Sequence, residues 1–318
     1  MFKAQIHQAH SRFYGMKFLL VIAVVLLGLS ALMFQHRYTE PASGVRQENL
    51  SLQENQLIHP ASLQKLQHKI GILERRLARM SHAIEKLWCT TQDVMSNGGF
   101  CVTAERIYTG GNIIFEPELC YFVEELVGNA SVADFGAGLG KYGMCLLRKN
   151  QTDFRLDEKQ KKQYNDDMKS TLKSLKDKPQ VVASWHGFDG GFAIEEVSGG
   201  FIAHADLSEE GLWLGRKWDW VMSIEVGEHI PSNSEAFFLD NLARHACAGI
   251  VLTWAVEGQG GHHHVNNHNN DYIKQKMLDR GFVSDEEAEK RMKGRLTGYL
   301  ANTSMVFRRK NPTSCLNE

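Results

Sequence analysis

Three groups of residues in this chain have the types and spacing to do chemistry. In the first, Asp134, Gly136, Gly138 and Gly140 alternate along one stretch, directly after the apolar residues Val132 and Ala133. Glycine at such positions lets backbone approach a ligand closely and reach positive φ. A helix starting there would add free N–H groups and the positive end of its dipole, which suit an anionic group. The second group is Glu225, Glu228 and His229, closed by Pro231. An imidazole with its ordinary pKa near ~6.5 suits a proton acceptor. The competing role for Glu228 is to accept backbone N–H bonds in a structural turn. The third group is His262, His263 and His264 in the glycine-rich stretch 258–266, a composition that forms flexible rims carrying substrate contacts.

The elements that must hold these groups alternate. Strands are expected at Ser131–Phe135, Val181–Phe188, Phe201–Ala205, Trp220–Ile224, Gly249–Trp254 and Ser304–Phe307. Helices are expected at Glu118–Val127, from Tyr142, after Ser232 and over Tyr272–Arg280. Ser232 and Glu235 have capping-box spacing, and Gly281 stops the later helix. The Lys-, Asp- and Gln-rich run 153–178 reads as a solvated helix inserted before the second strand. Such alternation predicts a doubly wound α/β sheet with ligands at the carboxyl ends of its strands. The three groups then fall just past the first, fourth and fifth strands.

Gly138, Gly140 and Gly143 match the dinucleotide fingerprint G-x-G-x-x-G. Counted from Gly136, which follows the strand directly, the third position of that fingerprint falls on Lys141. The frame Asp134, Gly136, Gly138, Gly140 instead resembles motif I of the class I S-adenosylmethionine (SAM) methyltransferases. The run 218–231, with Glu225, Val226, Glu228, His229 and Pro231, resembles motif IV of the same superfamily. The resemblance covers roughly residues 97 to 310 and is nearest to animal methyltransferase-like proteins, some membrane-anchored and some secreted. It implies a Rossmann-like sheet of seven strands with SAM as cofactor. It places Asp134, Gly136, Gly138 and Gly140 at the methionine part of SAM, Asp189 at the ribose, Asp206 at the adenine amine, and Glu225 in the same cofactor site. A helix N-cap is the competing role for Asp206. It leaves Glu228, His229 and His264 to act on an oxygen acceptor from a glycan, a lipid or a small secretory-pathway metabolite. Glu225, Glu228, His229 and His264 (or His262) also resemble the metal site of small-RNA 2′-O-methyltransferases. That set implies a metal-assisted alternative, with Mn²⁺ or Fe²⁺ suiting the donors better than Ca²⁺. A catalytically silent SAM-fold scaffold is the alternative from another class.

The 318 residues are 43% hydrophobic and 23% charged, with a formal net charge of −1. This is an ordinary globular balance with no electrostatic footprint for nucleic acid, so no nucleic-acid partner is expected. Residues 18–34 carry no charge and predict a signal-anchor helix, short for a membrane span. A tail at 1–17 precedes it. Lys3, Arg12 and Lys17 before the span, against Arg37 and Arg46 after it, orient the tail to the cytosol. This predicts a type II protein of the ER or Golgi with a luminal catalytic domain; secretion after signal cleavage is the alternative. Residues 35–95 read as linker and stem. Within 62–88, Leu63, Ile70, Leu77 and Ile84 alternate with Leu66, Leu73, Met80 and Leu87 in a heptad that predicts a homodimeric coiled coil. An amphipathic helix packed on its own domain is the alternative. The methyltransferase domain is expected over 96–318. Six cysteines without zinc-ligand spacing permit disulfides in an oxidising compartment. Cys101 with Cys120 is the expected pair, and Cys145 and Cys247 are expected as core thiols. Asn49, Asn129, Asn150 and Asn302 open glycosylation sequons.

Overall fold

The computed structural model describes residues 60–102, 115–149, 154–312 and 315. The chain divides into two compact units, Met1–Gln67 and His68–Glu318. The expected span 18–34 lies outside the described residues, among which no helix is long and apolar enough to cross a membrane. Helix α1 runs over Pro60–Trp88. Its heptad residues Leu66, Leu73, Met80 and Leu87 are exposed, whereas Ile70, Leu77 and Ile84 are half-buried.

Downstream come α2 (Pro117–Val127), β1 (Ser131–Phe135), α3 (Lys141–Leu147) and α4 (Glu158–Leu175), then β2 (Ser184–Asp189), α5 (Ile194–Val197), β3 (Ile202–His204) and β4 (Trp218–Ser223). A 3₁₀ turn, Gly227–His229, leads to α6 (Glu235–His245), β5 (Ala246–Thr253), α7 (Asn270–Asp279), β6 (Phe282–Ser284), α8 (Glu286–Lys293), α9 (Gly298–Thr303) and β7 (Ser304–Arg309). The strands form one seven-stranded sheet in the order β3-β2-β1-β4-β5-β7-β6. The first five pair in parallel, while β7 runs antiparallel between β5 and β6. Residues of α2, α3, α4 and α8 cover one face, and residues of α6 and α7 cover the other. This is the doubly wound α/β architecture expected. Every residue of central β1 is buried, its polar Ser131 and Asp134 included.

Two polar staples set β1 against β4, the strands that carry the first two chemical groups. Asp219 Oδ2 accepts from Ser131 N at 2.8 Å and Ser131 Oγ at 2.7 Å, and Asp219 N donates back to Ser131 Oγ. At the other end, Ser223 Oγ donates to the Phe135 carbonyl at 2.7 Å. The order changes direction between these strands: β1 continues to β2, β4 to β5. A crevice opens at such a switch point.

Four expectations are corrected. The helix expected in the 153–178 run forms as α4, but it is amphipathic rather than solvated: it buries Tyr164, Met168 and Leu175, and Tyr164 Oη donates to the Leu139 carbonyl, bracing the glycine turn from behind. The capping box does not form. The N-cap of α6 is Ser234, whose side chain makes no capping bond, and Glu235 turns to hold a loop instead. The three-residue strand β6 was too short to leave a pattern. The disulfides are Cys89–Cys101, Cys120–Cys145 and Cys247–Cys315, not Cys101–Cys120. Packing of α2 on α3 sets Cys120 against Cys145 across 25 residues, so neither Cys145 nor Cys247 is a free core thiol.

Candidate active site

At the carboxyl edge of the sheet lies a cavity of about 550 Å³, within the ~300–1,000 Å³ range of small-molecule sites. It touches both motif-bearing turns. Asp134, Gly136, Gly138, Asp189 and Asp206 line one end, and Glu225, His229, His262 and His264 line the other.

The glycine turn adopts the backbone its composition demands, with φ of +85° at Gly136, +54° at Gly138 and +79° at Gly140. A Cβ on Gly136 would stand 2.2 Å from Val226 Cγ2. Gly140 is placed differently from the expectation. It is the N-cap of α3, and a Cβ there would meet Phe201 and Ile202 within 3 Å. Its glycine serves helix–sheet packing, and it does not line the cavity. The turn's amides also depart from the expected anion cradle. Gly136 N and Ala137 N both donate to the Phe188 carbonyl, and Gly140 N donates to Ala137. Gly138 N donates to Asp189 Oδ2 at 2.8 Å. Four of the five amides from 136 to 140 are therefore spent inside the chain.

What remains at this end is carboxylate. Asp189 ends β2, as expected, and its second oxygen accepts from Gly191 N at 2.7 Å. Burial raises its pKa against the pull of those two amides. Asp134 is buried, and its pKa is pushed up to about 8 by burial and by the nearby Asp189. The Trp185 indole lies close enough to oppose that rise, yet Asp134 Oδ2 and Trp185 Nε1 are both buried without a hydrogen-bond partner. Asp206 caps no helix, since none begins there: its Oδ1 accepts from Ser208 N and Ser208 Oγ in a turn, and the residue lines the cavity.

The other end is assembled from three separated segments. Glu225 sits at φ +54°, a conformation that a non-glycine residue adopts at some cost. Thr253 Oγ1 takes its N–H at 2.7 Å. Thr303 Oγ1 donates to its Oε1, and Gln259 Nε2 donates to its Oε2. Glu228 is fully buried, and neither carboxylate oxygen has a hydrogen-bond partner. Burial and the neighbouring Glu225 raise its pKa well above the usual range, opposed by its own backbone amide and that of Ala255. His229 Nδ1 lies 3.2 Å from the His263 carbonyl. A carbonyl only accepts, so Nδ1 carries the proton and Nε2 is left with its lone pair. Burial, chiefly, brings His229 down to about 4, so the ring is neutral at physiological pH.

The histidine loop is docked rather than loose. Val265 N and Asn266 N both donate to the Glu228 carbonyl, and Trp254 Nε1 donates to the Asn266 carbonyl at 2.7 Å. Glu235 accepts from Asn266 Nδ2 and Tyr272 Oη and pairs with His268 at 2.7 Å. These bonds bring one candidate ligand atom each from Glu228, His229 and His264 within 4.8 Å of one another. His264 Nδ1, like the Glu228 oxygens, is buried and unpartnered. Glu225 is not in that cluster, since Thr303 and Gln259 hold its carboxylate. The four-residue metal set is thereby corrected to three, with His264 and not His262.

One wall has no counterpart in the sequence reading. Residues 94–100 form a small hairpin, with Met95 N bonded to the Gly99 carbonyl at 2.7 Å, tied to the end of α1 by Cys89–Cys101. Gly98 fits only as glycine, because a Cβ would lie 2.2 Å from the His229 carbonyl oxygen. Phe100 stands edge-on to His229 at 5.1 Å and stacks on His262 at 5.9 Å. Asn97–Gly98 is a turn dipeptide, which signals the bend but not where it packs. Gln259, in the expected rim stretch, and Tyr299, which was not foreseen, also line the cavity.

No family model matches the chain, and no curated protein matches it. Solved structures do. Magnesium protoporphyrin IX methyltransferase from Synechocystis PCC 6803 with bound SAM is 15% identical, with a TM-score of 0.39 over 65% of this chain and 89% of that one. N-methyltransferase NodS from Bradyrhizobium japonicum WM9 with S-adenosyl-L-homocysteine is 10% identical, with a TM-score of 0.34 over 60% and 84%. The small RNA methyltransferase HEN1 is 14% identical, with a TM-score of 0.39 over 64% of this chain and 27% of that one. At these values the likeness decides nothing about activity, which must be argued from the site's own residues.

Proposed function

We propose that this chain is a SAM-dependent methyltransferase acting on an oxygen. The observation that carries this is the polarity of the cavity. Its described lining holds Asp134, Asp189, Asp206 and Glu225 and no lysine or arginine, and four of the turn's five amides are already bonded. A dinucleotide's pyrophosphate needs free N–H donors or cations, whereas a sulfonium bearing an ammonium group suits carboxylates. Methyl transfer asks mainly for in-line alignment. The methyl carbon's bond to sulfur breaks as its bond to the acceptor oxygen forms. Sulfur keeps the electron pair and becomes a neutral thioether, and the hydroxyl proton passes to His229 Nε2. Titration of the purified chain with SAM tests this. Binding lost in Gly136→Val and kept in His229→Ala, with turnover lost in both, is the expected result. Wild-type chain that binds no SAM would overturn it.

A second reading, metal assistance, is favoured by the buried, unpartnered oxygens of Glu228 beside His229 and His264. These three residues fit a divalent ion, which would polarise the acceptor hydroxyl. Metal content of the purified chain, lowered in Glu228→Gln, supports it; equal content in both refutes it.

The setting we propose is a type II protein of the secretory pathway, anchored by residues 18–34 with its catalytic domain in the lumen, in the manner of animal membrane-anchored methyltransferase-like proteins. Closure of all six cysteines in disulfides supports an oxidising compartment. The exposed leucine and methionine stripe on α1 supports pairing with a second copy. Digestion of the domain by protease in intact microsomes would overturn the luminal assignment.

A further inference from the structure

We infer that the acceptor is an uncharged ring bearing hydroxyl groups, a sugar unit or a phenol, seated against Phe100. This deepens the methyltransferase reading above and rests on it. Charge restricts the acceptor first. The described lining residues offer no lysine or arginine to pair with a phosphate, sulfate or carboxylate. The imidazole nearest the motif turn keeps its Nδ1 proton on the His263 carbonyl. An anionic acceptor would therefore be seated beside Asp134, Asp189, Asp206 and Glu225 with no basic side chain among the described lining residues to pair with it, a costly burial. The described lining thus favours an uncharged acceptor over nucleic acid, acidic sugars or anionic lipid headgroups.

Shape restricts it next. The cavity of about 550 Å³ must hold the donor's nucleoside and amino acid as well, so the acceptor has room for little more than a ring. Phe100 supplies a flat apolar wall with His262 stacked against it. Tyr299 also lines the cavity. The C–H face of a sugar and the π face of a phenol both pack on such a ring, while Gln259, Glu225 and His229 present polar atoms for hydroxyls. The wall is held in place: Phe192 N donates to the Phe100 carbonyl at 3.0 Å, and the adjacent Cys101 is bonded to Cys89. Rigid placement is what makes a wall select among acceptors.

The test uses the purified full-length chain with SAM labelled in its methyl group. It offers matched acceptors: methyl glucoside against glucuronate and glucose 6-phosphate, and catechol against protocatechuate. Label is expected in an uncharged member, with kcat/KM about tenfold or more above its anionic partner, and the reactive arm tells sugar from phenol. Phe100→Ala should lower kcat/KM for that acceptor about tenfold, leave the SAM Kd within about twofold, and be rescued by Phe100→Tyr. Label entering the anionic members as readily, or Phe100→Ala without effect, would overturn the inference. Label in no acceptor, with SAM bound normally, would overturn the acceptor class and leave the donor assignment standing. Failure to bind SAM would overturn both.

Discussion

The two ends of the cavity are built on opposite plans. At the glycine turn nearly every polar group of the backbone is satisfied by the chain itself: Phe188, Asp189 and Ala137 take up four amides. At the Glu228 end the groups that matter are left without partners: two carboxylate oxygens and His264 Nδ1 are buried and unbonded. The first end is a shape, set by residues contiguous in sequence. The second is a convergence of β4, β5 and the histidine loop, and it holds polar groups in a state that folding alone would not favour. The contrast teaches where binding and chemistry reside. A shape whose backbone is satisfied and whose lining is carboxylate can bind a cation without rearranging its main chain, while the unpartnered groups of the Glu228 end await an acceptor or an ion.

Separating the two ends by mutation should give unlike outcomes. Gly136→Val should have the largest effect: positive φ and the Val226 contact together should weaken SAM binding by more than about 100-fold and destabilise the domain by a few kcal/mol, the range of strained backbone sites. Calorimetry and thermal denaturation read both. Glu228→Met should break the other end in the opposite sense. Turnover should fall by about 100-fold or more, while removal of a buried, unpartnered carboxyl should raise the melting temperature by about 2–4 °C per kcal/mol gained. A variant that loses both activity and stability would mean Glu228 is a structural turn residue.

Smaller effects should sharpen the contrast. Cys89→Ser with Cys101→Ser should loosen the Phe100 wall, lowering kcat/KM for the acceptor by about three- to tenfold while leaving the SAM Kd unchanged. An equal loss at both ends would show that the hairpin supports the fold generally. Asp134→Asn should show most clearly against pH. The folded chain keeps a proton on Asp134 up to about 8, whereas the unfolded chain releases it in the ordinary carboxylate range. Stability should therefore fall as pH rises through that window and level off above it. SAM affinity should rise over the same window, because a cation favours the ionised form. Asp134→Asn should flatten both trends; unchanged slopes would assign them to other groups.

How legible each end was in the sequence follows from the same difference. Ser131–Phe135 was readable to the residue because Val132, Ala133 and Phe135 run into the glycine-rich turn that ends the strand, and the turn because positive φ selects glycine. Asp189 was readable despite the long insertion, since β2 ends on it. The use of the turn's amides was not, because it depends on Phe188 and Asp189 arriving from another strand. Nor was the role of Gly140, which is set by Phe201 and Ile202. At the other end Glu228 and His229 could be singled out, but the choice of His264 over His262 and the release of Glu225 depend on the Glu228 carbonyl, Thr303 and Gln259. The hairpin at 94–100 depends on a disulfide and a contact with the His229 backbone. Composition and spacing carry no trace of such long-range partners.

The central claim is that the carboxylate-lined glycine turn binds a sulfonium donor. Its most direct test is calorimetric titration of the purified chain with SAM, with its demethylated product and with a nicotinamide dinucleotide. Stoichiometric heat with the first two and none with the third is the predicted result. Heat with the dinucleotide and silence with SAM would contradict it.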